Sequence, residues 1–206
     1  MSLQTLDAAT SALVALATAI ALGNEALVEQ HCRTCMAEGA PDTWVDELLL
    51  QSTLMVGWPR ALIAAAICRR VSGPAHSLED GADYGRVPEW QARGEAVCRT
   101  IYGANYQRLR ANMQELHPGL DAWMVTEGYG RTLGRPGLDL ARRELTIVAQ
   151  VAVQGAERQL HSHLRGALHA GVTPAVLDSA LALVRPSLDA RAREVLDAVR
   201  ERVQAP

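Results

Sequence analysis

Residues 134–178 read GRPGLDLARRELTIVAQVAVQGAERQLHSHLRGALHAGVTPAVLD, and this stretch decides the fold of the chain. Its apolar residues recur at helical spacing, without the sustained alternation that is typical of a strand. Gly155 and Gly171 interrupt the apolar runs, and Thr173 followed by Pro174 is a signal for the start of another helix. The stretch therefore predicts three successive helices, at about 139–154, 156–170 and 173–184.

Helical spacing of the apolar residues extends over nearly the whole chain. It predicts further helices at about 5–22, 24–38, 42–55, 58–71, 88–102, 105–116, 119–131 and 187–203. Residues 72–87, SGPAHSLEDGADYGRV, contain Gly, Asp and Pro with little apolar content. That composition indicates a linker between two helical segments.

The chain repeats itself across this linker. An offset of 132 residues aligns His31 with His163, without a gap over about forty residues. Nine positions are then identical, including Gly23 with Gly155 at predicted helix ends. Chance similarity between two helical segments rich in Ala and Leu is the alternative, but it does not account for the matched Gly, His and Glu residues.

A duplicated helical unit is the better interpretation of this pattern. We therefore predict a first unit at residues 1–71, a linker at 72–87 and a second unit at 88–206. Short helical units of this kind bury their apolar faces by association, so we expect a homo-oligomer, either a dimer or a trimer.

Composition narrows the class of protein. Hydrophobic residues make up 49% of the chain and charged residues 21%, as in ordinary globular proteins. The net charge of -3 argues against a nucleic-acid partner. The most apolar run, SALVALATAIALG, is too short to span a bilayer, and no basic residue precedes Arg33 as a signal peptide would require. We expect a cytoplasmic protein without a membrane partner.

The segment VEQHCRTCMAEG at residues 28–39 contains a Cys-x-x-Cys pair. A zinc site would need two further ligands, and a reactive thiolate is favoured at a helix N-terminus, whereas Cys32 and Cys35 fall toward the C-terminal half of their helix. Redox and metal roles are the alternatives. We predict that the two thiols mainly fill space in the core.

Several motifs resemble the carboxymuconolactone decarboxylase family. They are GEAVCRTIYGANY at 94–106, MVTEGYGRTLGRPGLD at 124–139 and the stretch 134–178, while HCRTCMAEGAPDTWVDELLLQSTLMVGWPRAL at 31–62 resembles a second copy. The resemblance implies an all-α, alkylhydroperoxidase D-like helical fold with two related helical units in one chain.

The resemblance implies one of two chemistries. Decarboxylase-type members act on a lactone carboxylate without a cofactor. Alkylhydroperoxidase-type members use Cys-x-x-Cys, a histidine four residues later and a relay glutamate on the preceding helix. His163 and Glu144 match the histidine and glutamate positions, but the two cysteine positions hold Ala156 and Gln159. In the first half, His31 matches the histidine and Ala12 replaces the glutamate.

The candidate catalytic residues are His163, Glu144 and Gln159. Histidine titrates near neutrality and can exchange a proton with substrate, and Gln159 lies one turn earlier, on the face from which it can hydrogen-bond to His163. Purely structural roles are the alternatives: a histidine satisfied by a neighbour or an oligomer interface, and a glutamate favoured by the helix dipole.

Arg135, Arg143 and Trp58 are the candidate substrate-binding residues. The arginines can hold a substrate carboxylate through paired hydrogen bonds, and Trp58 can line a pocket. Ordinary surface arginines and an aromatic helix contact are the alternatives. His161 and His163 are two residues apart and point to different helix faces, so they make a poor metal clamp. We predict no metal and no cofactor.

The leading functional hypothesis is a cofactor-free lyase or isomerase acting on a small carboxylated lactone or related acid in an apolar pocket. His163 would donate a proton after loss of CO₂, while Gln159 and an arginine stabilise the oxyanion. The alternative is a non-catalytic or divergent paralogue that serves as a binding or assembly scaffold. A thiol peroxidase of the alkylhydroperoxidase type ranks third.

Overall fold

The computed structural model describes residues 3–76, 79 and 81–204. Eleven α-helices are present among them: α1 Ala8–Leu22, α2 Glu25–Ala37, α3 Asp42–Met55, α4 Gly57–Ser72, α5 Val87–Tyr102, α6 Tyr106–Leu116, α7 Pro118–Trp123, α8 Leu140–Val153, α9 Glu157–His169, α10 Pro174–Val184 and α11 Ala190–Gln204. A π-helix, Met124–Leu133, continues directly from α7. The prediction of an all-α chain is confirmed.

The helix ends follow the signals in the sequence. Asp7 and Asp139 occupy equivalent positions before α1 and α8, and each side chain accepts a hydrogen bond from the first turn of its helix. Gly23 and Gly155 lie at the C-terminal ends of the same two helices, with positive φ angles of 68° and 60°. A left-handed conformation of this kind is open to glycine without strain.

The offset of 132 residues between the two halves reappears in the helix boundaries. Three helices of the second half begin 132 positions after helices of the first, at Ala8 and Leu140, Glu25 and Glu157, and Asp42 and Pro174. Asp46 pairs with Arg69 of α4, and the aligned Asp178 pairs with Arg200 of α11. Both halves therefore share one helical plan.

The two halves pack around α1 and α8, which lie against each other. Most residues of these two helices are buried, and their apolar side chains belong to one continuous core. The core consists mainly of Ala, Leu and Val, with Ile and four buried cysteines. The division into units at 1–71 and 88–206 stays a prediction.

The predicted linker at 72–87 is shorter in the structure, because Ser72 still belongs to α4 and α5 begins at Val87. Ser77, Leu78 and Asp80 of this segment lie outside the described residues. Glu79 is held by Arg93 of α5 at 2.8 Å. The described part of the linker therefore contacts the second half.

Helix α5 and the π-helix cross closely at two glycines. A Cβ atom on Gly94 would lie 1.9 Å from the carbonyl oxygen of Val125, and one on Gly130 would lie 2.0 Å from that of Trp90. Only glycine allows this approach, which sets Tyr102 of α5 beside Tyr129 of the π-helix. The single helix predicted at 119–131 is thus α7 followed by the π-helix.

No helix in the described part of the chain is long and apolar enough to cross a membrane.

Candidate functional site

Glu144 of α8 and His163 of α9 form a buried acid–base pair. Nδ1 of His163 lies 2.9 Å from Oε2 of Glu144, and the two residues are 7% and 0% exposed. The tautomer of His163 determines the donor, and in the tautomer with a proton on Nδ1 the Nδ1–H group donates to the carboxylate. This leaves Nε2 as the ring nitrogen that can exchange a proton with a ligand.

The pair has one unsatisfied atom. Oε1 of Glu144 is buried and has no hydrogen-bond partner within the described residues. A buried carboxylate oxygen without a partner is costly, and such atoms are rare in folded proteins. The arrangement therefore leaves an acceptor available at the site.

Gly166 allows α9 to approach Glu144. A Cβ atom at this position would lie 2.7 Å from Oε2 of Glu144 and 2.9 Å from Cγ2 of Ile101. Both distances are too short for an ordinary contact. The glycine thus makes room for the carboxylate one turn along α9 from His163.

Two tyrosines that the sequence analysis did not single out lie near the pair. The hydroxyl groups of Tyr102 and Tyr129 are 2.6 Å apart. Burial raises the pKa of Tyr102 and of Tyr129 above the usual range, and the negative charge of Glu144 adds to both shifts. Both hydroxyls are therefore neutral at physiological pH. The two tyrosines could have been found from the motifs that contain them, GEAVCRTIYGANY and MVTEGYG.

Gln159 does not join the acid–base pair. It lies exposed on the surface of α9 and forms no hydrogen bond with His163 in the part of the chain that the structure describes. The ring of His163 is instead directed to Glu144 on the neighbouring helix. The hydrogen bond expected between Gln159 and His163 is therefore not formed.

Arg135 and Arg143 are held by an internal carboxylate. Nε of Arg135 lies 3.0 Å from Oε1 of Glu47, and Nη2 of Arg143 lies 2.8 Å from Oε2 of the same residue. Arg143 also donates to Gln51, and its side chain is fully buried. Both guanidinium groups therefore contact Glu47, while Arg135 also lines a cavity; substrate binding by the two arginines stays a prediction.

Trp58 lies apart from the acid–base pair. It is 67% exposed and lines a cavity of about 530 Å³ between α3, α4 and the π-helix, together with Leu50, Leu62 and Arg135. Neither Glu144 nor His163 lines that cavity. The predicted site residues thus fall in separate places.

A second cavity, of about 610 Å³, opens beside the acid–base pair. Ile101 and Tyr102 form part of its wall. Ile101 and Glu144 both lie close to Gly166. The negative charge of Glu144 contributes to the raised pKa of Tyr102. These two side chains therefore separate the cavity from the pair.

The first half holds no equivalent pair. His31 occupies the position that matches His163, but the glutamate position is Ala12, and His31 has no hydrogen-bond partner within the described chain. Burial lowers the pKa of His31. The acid–base couple is thus formed in one half only.

The Cys-x-x-Cys pair lies in the core, as predicted. Cys32 and Cys35 are fully buried, in the same core as Cys68 of α4. Burial raises the pKa of Cys35 to about 12. These thiols are inaccessible in the folded chain.

Comparison with known proteins places these features in context. The sequence model of the carboxymuconolactone decarboxylase family matches residues 1–69 and 118–201. An uncharacterized 15.0 kDa protein from the nqo9-nqo10 intergenic region of Paracoccus denitrificans is 41% identical over 63 residues. That alignment covers 30% of this chain and 47% of the relative, so the chain spans about half the length of the relative it matches.

Proposed function

Because the chain belongs to the carboxymuconolactone decarboxylase family, we propose that it is a cofactor-free lyase acting on a small carboxylated lactone or related acid. The observation that carries the proposal is the buried hydrogen bond between Glu144 and His163. It joins a carboxylate to a histidine, the arrangement that suits transfer of a proton to carbon.

The reaction needs a proton donor and a stabilised oxyanion. Cleavage of the bond to the carboxylate releases CO₂ and leaves its electron pair on the substrate carbon, delocalised onto the lactone oxygen. His163, as imidazolium, transfers its Nε2 proton to that carbon. Glu144 stabilises the imidazolium through Nδ1, and water restores the transferred proton.

Tyr102 is a better placed oxyanion donor than Arg135 or Arg143. Tyr102 lies in the wall of the cavity beside the pair, whereas both arginines donate hydrogen bonds to Glu47. A neutral hydroxyl directed at the developing charge lowers the barrier without a prior loss of proton. Gln159, on the exposed face of α9, lines neither of the two cavities, and its contact with substrate stays a prediction.

The test is decarboxylation of γ-carboxymuconolactone by the full chain, followed as CO₂ release. We expect His163→Ala to lower the rate by about 100- to 10,000-fold, the usual effect of losing a general acid. His31→Ala is the matched control, because it removes the aligned histidine that has no glutamate partner, and its rate should equal that of the wild type. A His163→Ala protein that is folded and fully active refutes the proposal.

A scaffold role is the second candidate, favoured by the apolar surface of α3 and α4. Leu54, Trp58, Leu62 and Ile63 are each more than 40% exposed. We propose that this surface contributes to a cytoplasmic homo-oligomer, a dimer or trimer. Light scattering on the purified chain measures the assembly. An intact oligomer that turns over no carboxylated lactone favours the scaffold over the lyase.

A thiol peroxidase receives the least support. The positions of the peroxidase cysteines hold Ala156 and Gln159, and the Cys32–Cys35 pair is buried in the other half. Peroxide consumption that depends on Cys32 and Cys35 would restore this alternative.

A further inference from the structure

The cavity beside Trp58 lies apart from the acid–base pair. Its volume is about 530 Å³, within the usual range for pockets that bind small molecules. Helices α3 and α4 contribute its large apolar side chains, and the π-helix and the segment between α4 and α5 complete it together with Arg135. Neither Glu144 nor His163 lines it, so binding of a ligand there does not depend on the proposed reaction.

Helix α4 borders the cavity with an apolar face. Trp58, Ala61, Leu62 and Ala65 line the cavity at helical spacing, so they lie on the same side of the helix. Trp58 and Leu62 are 67% and 57% exposed, and Leu50 of α3, which also lines the cavity, is 42% exposed. Large apolar side chains that remain exposed together indicate a binding surface.

The second half of the chain lacks this apolar face. With the offset of 132 residues, Trp58 and Leu62 correspond to Ala190 and Glu194 of α11, which are both exposed. The helical plan that the two halves share therefore does not require Trp58 or Leu62. Their presence in the first half fits a role in binding better than a role in folding.

The charged residues of the cavity lie in ion pairs. Each of them pairs with a carboxylate or guanidinium group among the described residues, as Glu47 does with Arg135 at 3.0 Å. An ion entering the cavity would lose its hydration without meeting an unmatched opposite charge, which is costly. We therefore expect a neutral ligand. In the described part of the chain the lining holds three carboxylates and three guanidinium groups: Asp46, Glu47, Glu79, Arg69, Arg131 and Arg135.

Two threonine hydroxyl groups can supply a polar contact. Thr53 and Thr132 line the cavity, and each donates its proton to a backbone carbonyl of its own helix, that of Leu50 and that of Glu127. The hydroxyl oxygen of each threonine can still accept a hydrogen bond. A ligand with a hydroxyl group can therefore donate to a threonine while its apolar body contacts Trp58.

We propose that this cavity binds a small neutral molecule that carries an aromatic ring and a hydroxyl group, with Trp58 and Leu62 covering the ring. An aromatic ring suits Trp58, because aromatic pairs gain more than the burial of their area alone. Leu54 and Ile63 are exposed on the same two helices but do not line the cavity. They remain available for contact with a second copy of the chain when the cavity is occupied.

Calorimetric titration of the full chain tests the proposal with three probes that share one apolar body. Cinnamyl alcohol is neutral, cinnamate is an anion and cinnamylammonium is a cation. We expect cinnamyl alcohol to bind about tenfold or more tighter than either ion, because only the ions lose the hydration of a charge on entering the cavity.

Two variants introduce the residues of the second half at the aligned positions of the first. Trp58→Ala and Leu62→Glu should each weaken binding of cinnamyl alcohol about tenfold or more, the scale of losing a central apolar contact. Ile63→Glu is the matched control, because Ile63 is 48% exposed beside Leu62 but does not line the cavity. Its affinity should equal that of the wild type. All three positions are exposed or half-buried on α4, so the variants should fold.

The indole N–H signals of Trp58 and Trp123 in an NMR titration give a second readout. Both side chains are 67% exposed, but of the two only Trp58 lines the cavity. Cinnamyl alcohol should shift the signal of Trp58, which is identified by its loss in Trp58→Ala, and should leave that of Trp123 in place. Equal shifts would mean adsorption to any exposed aromatic side chain and would overturn the proposal.

Three further results overturn the proposal. The first is the absence of binding of cinnamyl alcohol by the wild type, and the second is tighter binding of cinnamate, which would indicate contact of a carboxylate with Arg135. The third is an equal loss of affinity in Ile63→Glu and Leu62→Glu. If the wild type binds no probe and light scattering shows that Leu62→Glu dissociates an oligomer, a second copy of the chain covers the cavity instead.

Discussion

Oε2 of Glu47 on α3 lies 2.8 Å from Nη2 of Arg143 on α8, and both side chains are buried. The same carboxylate holds Arg135 at 3.0 Å, so one acidic residue of the first half contacts two arginines of the second. Removal of Glu47 would leave these positive charges in the interior without their partner.

We predict that Glu47→Ala lowers the free energy of unfolding by about 3–5 kcal/mol, the usual cost of breaking a buried ion pair from one side. Urea denaturation measures the change. Glu157→Ala is the control, because the pair of Glu157 with Arg202 is exposed and should contribute no more than about 1 kcal/mol. Equal losses in the two variants contradict a structural role for the network.

The network also shows which part of the site the sequence can predict. Arginine at positions 135 and 143 correctly indicates a carboxylate partner, but that partner comes from a residue 88 and 96 positions away. Nothing local in the chain specifies such a contact. The sequence therefore did not predict that Arg135 and Arg143 contact Glu47, and their role in substrate binding stays a prediction.

Prediction was more accurate for the acid–base pair, whose two residues lie on helices that follow each other in the chain. The resemblance to the carboxymuconolactone decarboxylase family implied Glu144 and His163 on two successive helices, and the reversal at Gly155 brings them together. Tyr102 and Tyr129 were missed, because their contact depends on the close crossing at Gly94. The π-helix was missed because its apolar spacing resembles that of an α-helix.

Gly166 offers a test of the acid–base pair that leaves both of its members in place. A methyl group there would meet Glu144 and Ile101 at less than 3 Å. We predict that Gly166→Ala lowers the free energy of unfolding by about 1–3 kcal/mol, the typical cost of overpacking a core. Gly128→Ala is the control, since its Cβ would only approach the carbonyl oxygen of Trp123 at 3.7 Å. A stability gain in Gly166→Ala would show that Glu144 is free to move away.

Acidification should destabilise the fold in part through His31. Burial lowers the pKa of His31 below its usual 6.5, so the unfolded chain binds the proton more tightly. This contribution to stability is fully present above about pH 6.5 and is lost as the pH falls from there through the lower pKa of the folded state. We predict that His31→Gln loses less stability than the wild type between pH 7 and pH 5, measured by urea denaturation at each pH.

The control for His31 is Gln30→Ala, an exposed substitution on the same helix, which should keep the pH dependence of the wild type. A dependence that is the same in His31→Gln and in the wild type would mean that His31 takes up its proton equally in the folded and unfolded chains.

The buried thiols should be unreactive in the native protein. Burial raises the pKa of Cys35 and of Cys98 to about 12, so at pH 8 only about one such thiol in ten thousand is ionised. Cys32 and Cys68 are enclosed in the same core as Cys35. We predict that a chromogenic disulfide reagent modifies no cysteine of the folded chain on the time scale of minutes, and modifies all four after unfolding in guanidinium.

Gln159→Cys is the control for this prediction, because it places a thiol at the exposed position where peroxidase-type relatives carry a cysteine. That single thiol should react at once in the folded chain, since it lies near the start of α9, where the helix dipole favours a thiolate. Rapid reaction of the native Cys32 or Cys35 would contradict the burial of the pair and would reopen a redox role for it. Slow reaction of both, beside fast reaction of Gln159→Cys, assigns the two native cysteines to packing.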